Sequence, residues 1–518
     1  MSKRQSTAFA LAAFLIAIAL LSGATIADET SGAGSAAEPA SSTTAQVGDA
    51  KAAADQTGAA KGTADAAADG IRAFNTGDFR TAIKQFTAAV EAHPKDAALC
   101  AWLGTAQLRA GEYGAAVETL TKALELDPKM PEAQNNLGSA YWAEHDTAKA
   151  IEHYQEAVYL QPRYAAPHRN LGTAYLESGD LSKAVGELTV ASDLDPKNAE
   201  AFNNLGVAYQ RQGQPADAAT AYRKAVELGP ANESFQLNLA LALNAAGEKD
   251  EAGKLFSKLA TAGSKLPAVY LNLGLIRYER KNYQGGMEAF QQAVALDRGS
   301  WAAYYNLGLC ARALDKRKEA KEAFEKAVAL NPEAINALIS LGTVELEEGD
   351  AARAAEHFSS ALRVAPDNYA ASFDLGLAQA RQGNDEEALR IWEGLAKVSP
   401  DDVSLREALA HAYFRLRRYD SARDQYEALV KLRPKDVAAY NNLGIIYDQF
   451  GQFDKAAAAY QAALAADPNY APAHNNLGIV YERQGKKDEA IAEYRAALKL
   501  DPSYADAQRN LDRLTPGG

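Results

Sequence analysis

Hydrophobic and polar positions recur along most of the chain with one fixed spacing. A leucine returns every 34 residues from Leu103 to Leu511, and Asp69 holds the same position one period earlier. The residue after this position is Gly or Ala in each full period, from Gly70 to Gly478. No insertion or deletion interrupts the spacing. A period of this length predicts a solenoid, in which each unit buries its apolar face against its neighbours.

Within one period, the apolar positions predict two helices. In residues 199–232, the first stripe follows the spacing i, i+3, i+4 and i+7 of one helical face and consists of Phe202, Leu205, Gly206 and Tyr209. Gly213 then predicts a left-handed backbone conformation that stops the helix. The second stripe consists of Ala218, Tyr222 and Ala225, and Pro230 follows its end. The small residues allow the two backbones to approach closely, and the aromatic ring fills the remaining space.

These positions resemble the tetratricopeptide repeat, because most periods carry its Leu-Gly pair, later Tyr, first Ala, aromatic residue, second Ala and closing Pro. Asp69 replaces the first leucine, and Ser264 and Arg298 replace two of the closing prolines. The resemblance covers residues 63–504 as thirteen repeats, and residues 505–518 form a capping helix with a short tail. It implies an all-α fold, a right-handed superhelical α-solenoid of thirteen 34-residue helix-turn-helix repeats plus the terminal capping helix. Between residues 335 and 436 the Tyr position carries Glu345 and then Gln379, and we expect that stretch to be less regular.

The first 62 residues follow other rules. A basic start precedes an apolar run from Ala8 to Leu21, and small residues follow up to Ala27, which predicts a signal peptide over residues 1–27. The apolar character continues long enough that an uncleaved anchor over residues 8–26 is the alternative. Residues 28–62 contain almost no large apolar side chain and predict a disordered, low-complexity linker. We therefore expect an exported protein, periplasmic or secreted, or one anchored to the inner membrane.

Charge and motifs narrow the function classes. The formal net charge is −13 and becomes −15 without residues 1–27, which hold two basic side chains, so we expect no nucleic acid partner. A membrane is a partner only if the N-terminal segment stays uncleaved. The sequence contains no HExxH, no Cys-x-x-Cys, no nucleophile elbow and no P-loop, and its histidines lack metal-ligand spacing. We predict no enzyme activity, no cofactor and no metal.

One polar position stands out from the repeat. The residue before the leucine is Asn in nine periods, at Asn136, Asn170, Asn204, Asn238, Asn272, Asn306, Asn442, Asn476 and Asn510. In tetratricopeptide arrays the first helices line the concave wall, so the resemblance places this asparagine ladder there. A carboxamide donates and accepts, and can therefore bind the backbone of an extended peptide. With helices ~8–10 Å apart and ~3.3 Å per extended residue, one rung meets about every third peptide residue.

Two interpretations of the ladder stay open. The NNLG runs resemble the repeats of the O-linked N-acetylglucosamine transferases, where such a ladder holds substrate peptides, although only fourteen residues follow the last repeat here and we expect no catalytic domain. Alternatively, Asn is the family's usual residue at this position and satisfies only local hydrogen bonds.

A second candidate site is a basic cluster in the eleventh repeat. The arginines that we select from it as a candidate patch are Arg406, Arg415, Arg417 and Arg418. The cluster can receive an acidic partner segment, or it is a solvated face with local ion pairs. The function that these observations favour is a non-catalytic scaffold that binds extended peptide segments of partner proteins in its concave groove. The alternative is a membrane-tethered assembly factor of an envelope secretion or polysaccharide export machine.

Overall fold

The computed structural model describes residues 61–515, so the predicted signal peptide and nearly all of the predicted linker lie outside the described residues. The described chain consists of 27 helices and short turns and has no strand within those residues. It forms two compact units, which follow one another in the sequence at Arg280 and Lys281.

The first unit contains thirteen helices in its described part. They are α1 Lys61–Asn75, α2 Phe79–Ala92, α3 Ala97–Ala110, α4 Tyr113–Leu126, α5 Pro131–Ala143, α6 Thr147–Leu160, α7 Ala165–Ser178, α8 Leu181–Leu194, α9 Ala199–Arg211, α10 Pro215–Leu228, α11 Glu233–Ala245, α12 Lys249–Thr261 and α13 Pro267–Glu279. Within this unit each helix packs against the next one in the chain.

The second unit continues the alternation. Its described helices are α14 Tyr283–Leu296, α15 Trp301–Ala313, α16 Arg317–Leu330, α17 Ile335–Glu348, α18 Ala351–Val364, α19 Tyr369–Arg381, α20 Asp385–Val398, α21 Val403–Arg415, α22 Tyr419–Leu432, α23 Val437–Gln449, α24 Phe453–Ala466, α25 Ala471–Arg483, α26 Lys487–Leu500 and α27 Ala505–Leu514. Odd-numbered helices are the first helices of the repeats. The predicted all-α solenoid of tetratricopeptide repeats is therefore confirmed.

The turn after each first helix has a left-handed residue at one position of every period. These residues have φ between 57° and 91° and are Gly77, Gly111, His145, Gly179, Gly213, Gly247, Lys281, Asp315, Gly349, Gly383, Arg417, Gly451 and Gly485. The conformation predicted at Gly213 is confirmed. In four periods the residue at this position has a Cβ, and its backbone adopts a conformation that is free of strain only for glycine.

Small residues bring the two helices of a repeat together. The first of the two buried small-residue positions of the second helix is an alanine with no exposed surface in twelve repeats. These alanines are Ala82, Ala116, Ala150, Ala184, Ala218, Ala252, Ala320, Ala354, Ala388, Ala422, Ala456 and Ala490. A Cβ built on Gly206 would lie 2.6 Å from Cδ1 of Tyr222. Because real Cβ atoms do not approach carbon so closely, Gly206 is required by the aromatic ring that packs on it.

Residues 335–436 were expected to be less regular, but their helices are as regular as those elsewhere in the array. The helices from α17 to α22 have 13 or 14 residues, as elsewhere in the array. Where Glu345 replaces the tyrosine, its carboxylate is buried and its Oε2 lies 2.7 Å from Nδ1 of His357 on the second helix of the same repeat. A hydrogen-bonded pair thus replaces the aromatic side chain, and the helices keep their bounds.

Candidate functional site: the asparagine positions of the first helices

The nine ladder asparagines lie on first helices and differ in exposure. Five are buried, namely Asn136, Asn170, Asn238, Asn272 and Asn306. Four are partly exposed, namely Asn204, Asn442, Asn476 and Asn510. Since a ligand contacts exposed atoms only, the second group offers more of its carboxamide to a partner.

In the first unit, the ladder is part of a hydrogen-bond chain that crosses three first helices. The Nδ2 of Asn170 on α7 donates to Oδ1 of Asn135 on α5 (3.0 Å). Asn135 donates to its neighbour Asn136 (3.4 Å), whose Nδ2 donates to Oγ1 of Thr105 on α3 (3.0 Å). The Thr105 hydroxyl donates to the carbonyl of Ala101 (2.7 Å). The donors of Asn170 and Asn136 each reach the preceding repeat, and the other two bonds stay within one helix, so the chain links successive repeats.

The same chain returns two periods later. Asn238 on α11 donates to Asn203 on α9 (2.9 Å), and Asn203 donates to Asn204 (3.4 Å). Asn204 donates to the hydroxyl of Thr173 on α7 (3.1 Å), which donates to the carbonyl of Arg169 (2.9 Å). Repetition at a spacing of two periods shows that the acceptor alternates between an asparagine and a threonine.

The C-terminal repeats of the second unit carry a shorter version of this chain. Asn510 on α27 donates to Asn475 on α25 (3.1 Å). Asn475 donates to Asn476 (3.3 Å), and Asn476 donates to Asn441 on α23 (3.1 Å). The terminal helix therefore joins the array through the ladder position as well as by packing.

Two asparagines have no such acceptor. The Nδ2 of Asn272 donates to the carbonyl of Ala268 in its own helix (2.9 Å). The preceding repeat has Leu237 and Leu241 at the two acceptor positions, so no side-chain oxygen is present there. Asn306 likewise donates to the carbonyl four residues before it (2.8 Å). A remaining rung, Asn442, donates to the Tyr426 hydroxyl (3.0 Å).

These contacts show that all nine ladder asparagines form local hydrogen bonds. They also show that each carboxamide retains hydrogen-bonding groups that these bonds do not use. Each carboxamide has two N–H donors and an oxygen, and one donor is used in the bonds above. Among the described residues, the side-chain oxygens of Asn170, Asn238 and Asn510 accept no hydrogen bond. The acceptors were not predicted from the sequence, although the doubled asparagine at 135–136, 203–204, 441–442 and 475–476 was a signal for them.

The ladder is interrupted in the second unit. The position carries Ser340, Asp374 and Ala408 in three successive repeats. Burial raises the pKa of the Asp374 carboxyl to about 6, and the charge of Arg312 opposes this shift in part. Arg312 itself donates to Glu347 (3.3 Å). The interruption thus places a carboxyl group where its neighbours elsewhere in the array have a neutral carboxamide.

The four candidate arginines of the eleventh repeat lie in two separate groups. Arg406 lies in the first turn of α21, whereas Arg415, Arg417 and Arg418 lie at its end and in the following turn. Nine helical residues separate the two groups by ~14 Å along the axis. Arg415 forms an ion pair with Asp385, and Arg418 pairs with Glu386 (2.9 Å). Arg406 also lies 3.8 Å from Asp401. Three of the four charges are therefore paired with acidic residues of the preceding repeat.

Two histidines occupy the same position nine periods apart. The Nδ1 of His168 lies 2.6 Å from Oε2 of Glu187, and its Nε2 lies 3.0 Å from the carbonyl of Pro162. His474 makes the corresponding contacts at 2.6 and 3.1 Å. Burial lowers the pKa of His168, but the bonds to Glu187 and Pro162 outweigh it and raise the pKa above 6.5. Because both partners are acceptors, a protonated ring satisfies both contacts.

Metal binding and membrane spanning have no support within residues 61–515. No group of three or more His, Cys, Asp or Glu side chains in this range is arranged to hold a metal ion. None of the helices in the same range combines the length and the apolar character that crossing a membrane requires.

Comparisons with known families agree with the repeat pattern. The profile described as "Cilia and flagella-associated protein 70 C-terminal domain" matches residues 5–300, more than half of the chain. Profiles described as "Tetratricopeptide repeat" match residues 301–333 and residues 339–401, 407–471 and 447–505. A comparison with curated proteins gives no match.

Similar solved structures include three with related repeats. The "Crystal structure of APC/C hetero-tetramer Cut9-Hcn1" is 17% identical, covers 91% of this chain and 99% of its own, and has a TM-score of 0.36. The "Structure of Naa15/Naa10 bound to HypK-THB" is 15% identical, covers 88% of this chain and 96% of its own, and has a TM-score of 0.33. The "Crystal structure of MamA protein" is 28% identical, covers 33% of this chain and 93% of its own, and has a TM-score of 0.30.

The family matches and the packed helix pairs lead to one assignment. The chain belongs to the tetratricopeptide repeat proteins, which serve as scaffolds for binding other proteins, and its residues 5–300 belong to the family described as the Cilia and flagella-associated protein 70 C-terminal domain.

Proposed function

We propose that this protein is an exported, non-catalytic scaffold whose first-helix surface binds extended segments of partner proteins. The supporting observation is the row of carboxamides, each of which retains donor or acceptor capacity after its local bond is made. An extended polypeptide presents a backbone N–H and C=O at each residue, which are the groups that a carboxamide recognises. The resemblance to the transferase ladder remains a prediction.

The local bonds support this role because they orient the ladder. An asparagine whose Nδ2 is held by the preceding repeat loses little side-chain freedom when a ligand binds, so the entropic cost of binding is lower. Many weak contacts on one frame then act together. The partly exposed rungs Asn204, Asn442, Asn476 and Asn510 offer the most surface.

A selection experiment tests peptide binding without knowledge of the natural partner. A display library of random 16-residue peptides is selected on the full-length protein and on the triple variant N204A/N238A/N272A. We expect the triple variant to capture the selected peptides at least ~10-fold less well, since three backbone contacts of about 0.5–1.5 kcal/mol each are lost. Equal capture by the triple variant would remove the ladder from the proposal.

A matched control shows whether reduced peptide capture is specific to the ladder asparagines or follows the loss of any three carboxamides. The variant Q284A/Q291A/Q292A removes three exposed carboxamides from the second helix α14, and we expect it to capture peptides like the wild type. Circular dichroism at increasing temperature shows whether each variant is folded at the selection temperature. A triple ladder variant that is unfolded would be replaced by N442A/N476A/N510A.

Export is the second part of the proposal and is supported by the sequence of residues 1–27 alone. N-terminal sequencing of the protein from its native host tests it. A first residue of Thr25 or Asp28 agrees with cleavage after Ala24 or Ala27. An intact start would favour the inner-membrane anchor over residues 8–26 and the envelope assembly role that accompanies it.

A further inference from the structure

The interruption of the ladder carries an inference of its own, which rests on the proposed function. We propose that Asp374 is the binding site for a lysine or arginine side chain of the extended segment that the scaffold holds. The site would select among partner segments, whereas the asparagine rungs contact the backbone that all segments share.

The position of Asp374 supports a role in recognition. It lies on α19 at the ladder position, two repeats after Asn306 and two repeats before Asn442 in the same unit. The rungs on either side are Ser340 and Ala408, whose side chains are shorter than asparagine. A long side chain from a ligand therefore meets less obstruction here than at a run of three asparagines.

The hydrogen bonding of Asp374 differs from that of every ladder asparagine. Each asparagine donates to a protein acceptor, whereas the partly buried Asp374 carboxylate accepts no hydrogen bond and has no ion pair within 4.0 Å among the described residues. Withdrawal of a carboxylate from water without a partner is unfavourable. A structural role would be served equally well by the asparagine found at this position in nine other periods, so the unpaired charge points to a ligand.

Charge decides which ligand fits. Burial raises the pKa of Asp374 to about 6, so the group is mainly ionised at pH 7. The nearest cation acting on it, Arg312, is already bonded to Glu347 (3.3 Å). An ammonium or guanidinium group from a ligand would supply the missing partner and a charge-assisted hydrogen bond.

The residue before Asp374 on α19 is the aromatic Phe373. The ring of Phe373 stacks on Tyr369 at a centroid distance of 6.4 Å and an interplanar angle of 7°. It also lies 6.2 Å from Trp392 at 40°. Phe373 is partly exposed, and aromatic side chains favour contact with the apolar stem or the charged head of lysine and arginine.

The test compares the wild type with D374N, which restores the carboxamide of the ladder at unchanged size. The 16-residue display library is selected on both full-length proteins. We expect peptides selected on the wild type to be enriched several-fold in lysine and arginine over the input library, and peptides selected on D374N to lack this enrichment. The control D367N removes an exposed carboxylate from the turn before α19 and should retain the preference.

Paired synthetic peptides then measure the effect. For peptides selected on the wild type, each arginine is replaced in turn by citrulline, a neutral isostere, and fluorescence anisotropy gives the dissociation constants. At one position we expect citrulline to raise Kd at least ~10-fold for the wild type and less than ~2-fold for D374N. The variant D374S, which copies Ser340, provides a second test if D374N is poorly folded.

The outcomes distinguish the two proposals. If no peptide is enriched on the wild type, the proposed function fails and the Asp374 site fails with it. If peptides are enriched without a cationic preference, peptide binding stands and the Asp374 site is overturned. A cationic preference that D374N and D374S retain also overturns it, because another anion would then be responsible.

Discussion

Residues 105–238 of the first unit and residues 340–408 of the second unit use the same backbone position for different purposes. In the first region, Asn136, Asn170, Asn204 and Asn238 each donate to the preceding repeat. In the second, the position carries a serine, an unpaired carboxylate and an alanine. The helices have the same lengths in both regions. An asparagine at the ladder position is therefore not needed to form the helix pair, so the polar residues there are free to link repeats or to bind a ligand.

The largest expected effect concerns the packing that both regions share. Replacing Ala218 or its counterpart Ala388 with leucine should lower the free energy of unfolding by ~1–3 kcal/mol in either region, since both alanines are fully buried between helices. Urea unfolding followed by circular dichroism measures the loss. The exposed Ala216 on the same helix as Ala218 is the control position for leucine. An unchanged midpoint for Ala218→Leu would contradict the packing scheme.

The next largest effect is a difference in stability between two ladder variants, one at an asparagine that links repeats and one at an asparagine that does not. Asn170→Ala removes the donor to Asn135 and leaves a buried oxygen without its partner, which should cost ~1–2 kcal/mol. Asn272→Ala removes only a bond within its own helix, and the higher helix propensity of alanine offsets much of that loss, so we expect a change within ~0.5 kcal/mol. Equal losses for the two variants in urea unfolding would show that the inter-repeat bonds contribute nothing extra.

A smaller effect is stabilising and concerns the turn next to the interruption. Arg417 has φ of 57°, whereas the preceding repeat has Gly383 at the same position. Arg417→Gly should therefore raise the free energy of unfolding by up to ~1 kcal/mol, because the left-handed strain is relieved. Gly383→Ala should have the opposite sign. A lower melting temperature for Arg417→Gly would assign the side chain a stabilising role that outweighs its strain.

The smallest expected effect depends on pH. The folded-state pKa of His168 is raised, mainly by its bonds to Glu187 and Pro162 against the opposing effect of burial. Its contribution to stability is therefore fully present below the unfolded pKa of about 6.5 and is lost as pH rises through the higher folded pKa. The melting temperature of the wild type relative to His168→Gln should fall between pH 6 and pH 8.5.

The glutamine variant is a matched control that the chain itself provides. Gln236 occupies the same position two periods later and donates to the carbonyl of Pro230 (2.7 Å). His168→Gln should therefore keep the bond to the carbonyl and lose the titrating group. A constant difference between the two proteins across this pH range would mean that the His168 proton has no influence on stability.

The sequence predicted the fold and the ladder position but not the partners of the ladder. A fixed period of leucine, glycine, alanine and aromatic residues allows only neighbouring units to bury their apolar stripes, so the helix pairs could be derived from spacing. The acceptors Thr105 and Asn135 lie about one period away from their donors. Which of several polar residues on an adjacent helix comes within 3 Å depends on how the helices are rotated and shifted, and spacing along one chain does not specify this.

The basic cluster of the eleventh repeat shows the same limit. Its arginines are close in sequence, but Arg415 pairs with Asp385 and Arg418 with Glu386, both on the helix before. A search for like charges along the chain could not detect these acids, because they are about thirty residues away. Asp374 is the converse case, since its residue type is visible in the sequence while its lack of a hydrogen-bonding partner is visible only in the structure.

By itself the sequence determined the repeat length, the helix pairs, the left-handed turn position and the face that each polar rung occupies, because these depend on periodicity and on backbone preferences that act within about one repeat. Tertiary structure alone decided which asparagines link repeats, which bond to their own helix, and that one carboxylate remains unpaired. The physical reason is that hydrogen bonds form only over about 3 Å, and distances that short between separate helices are set by side-chain packing.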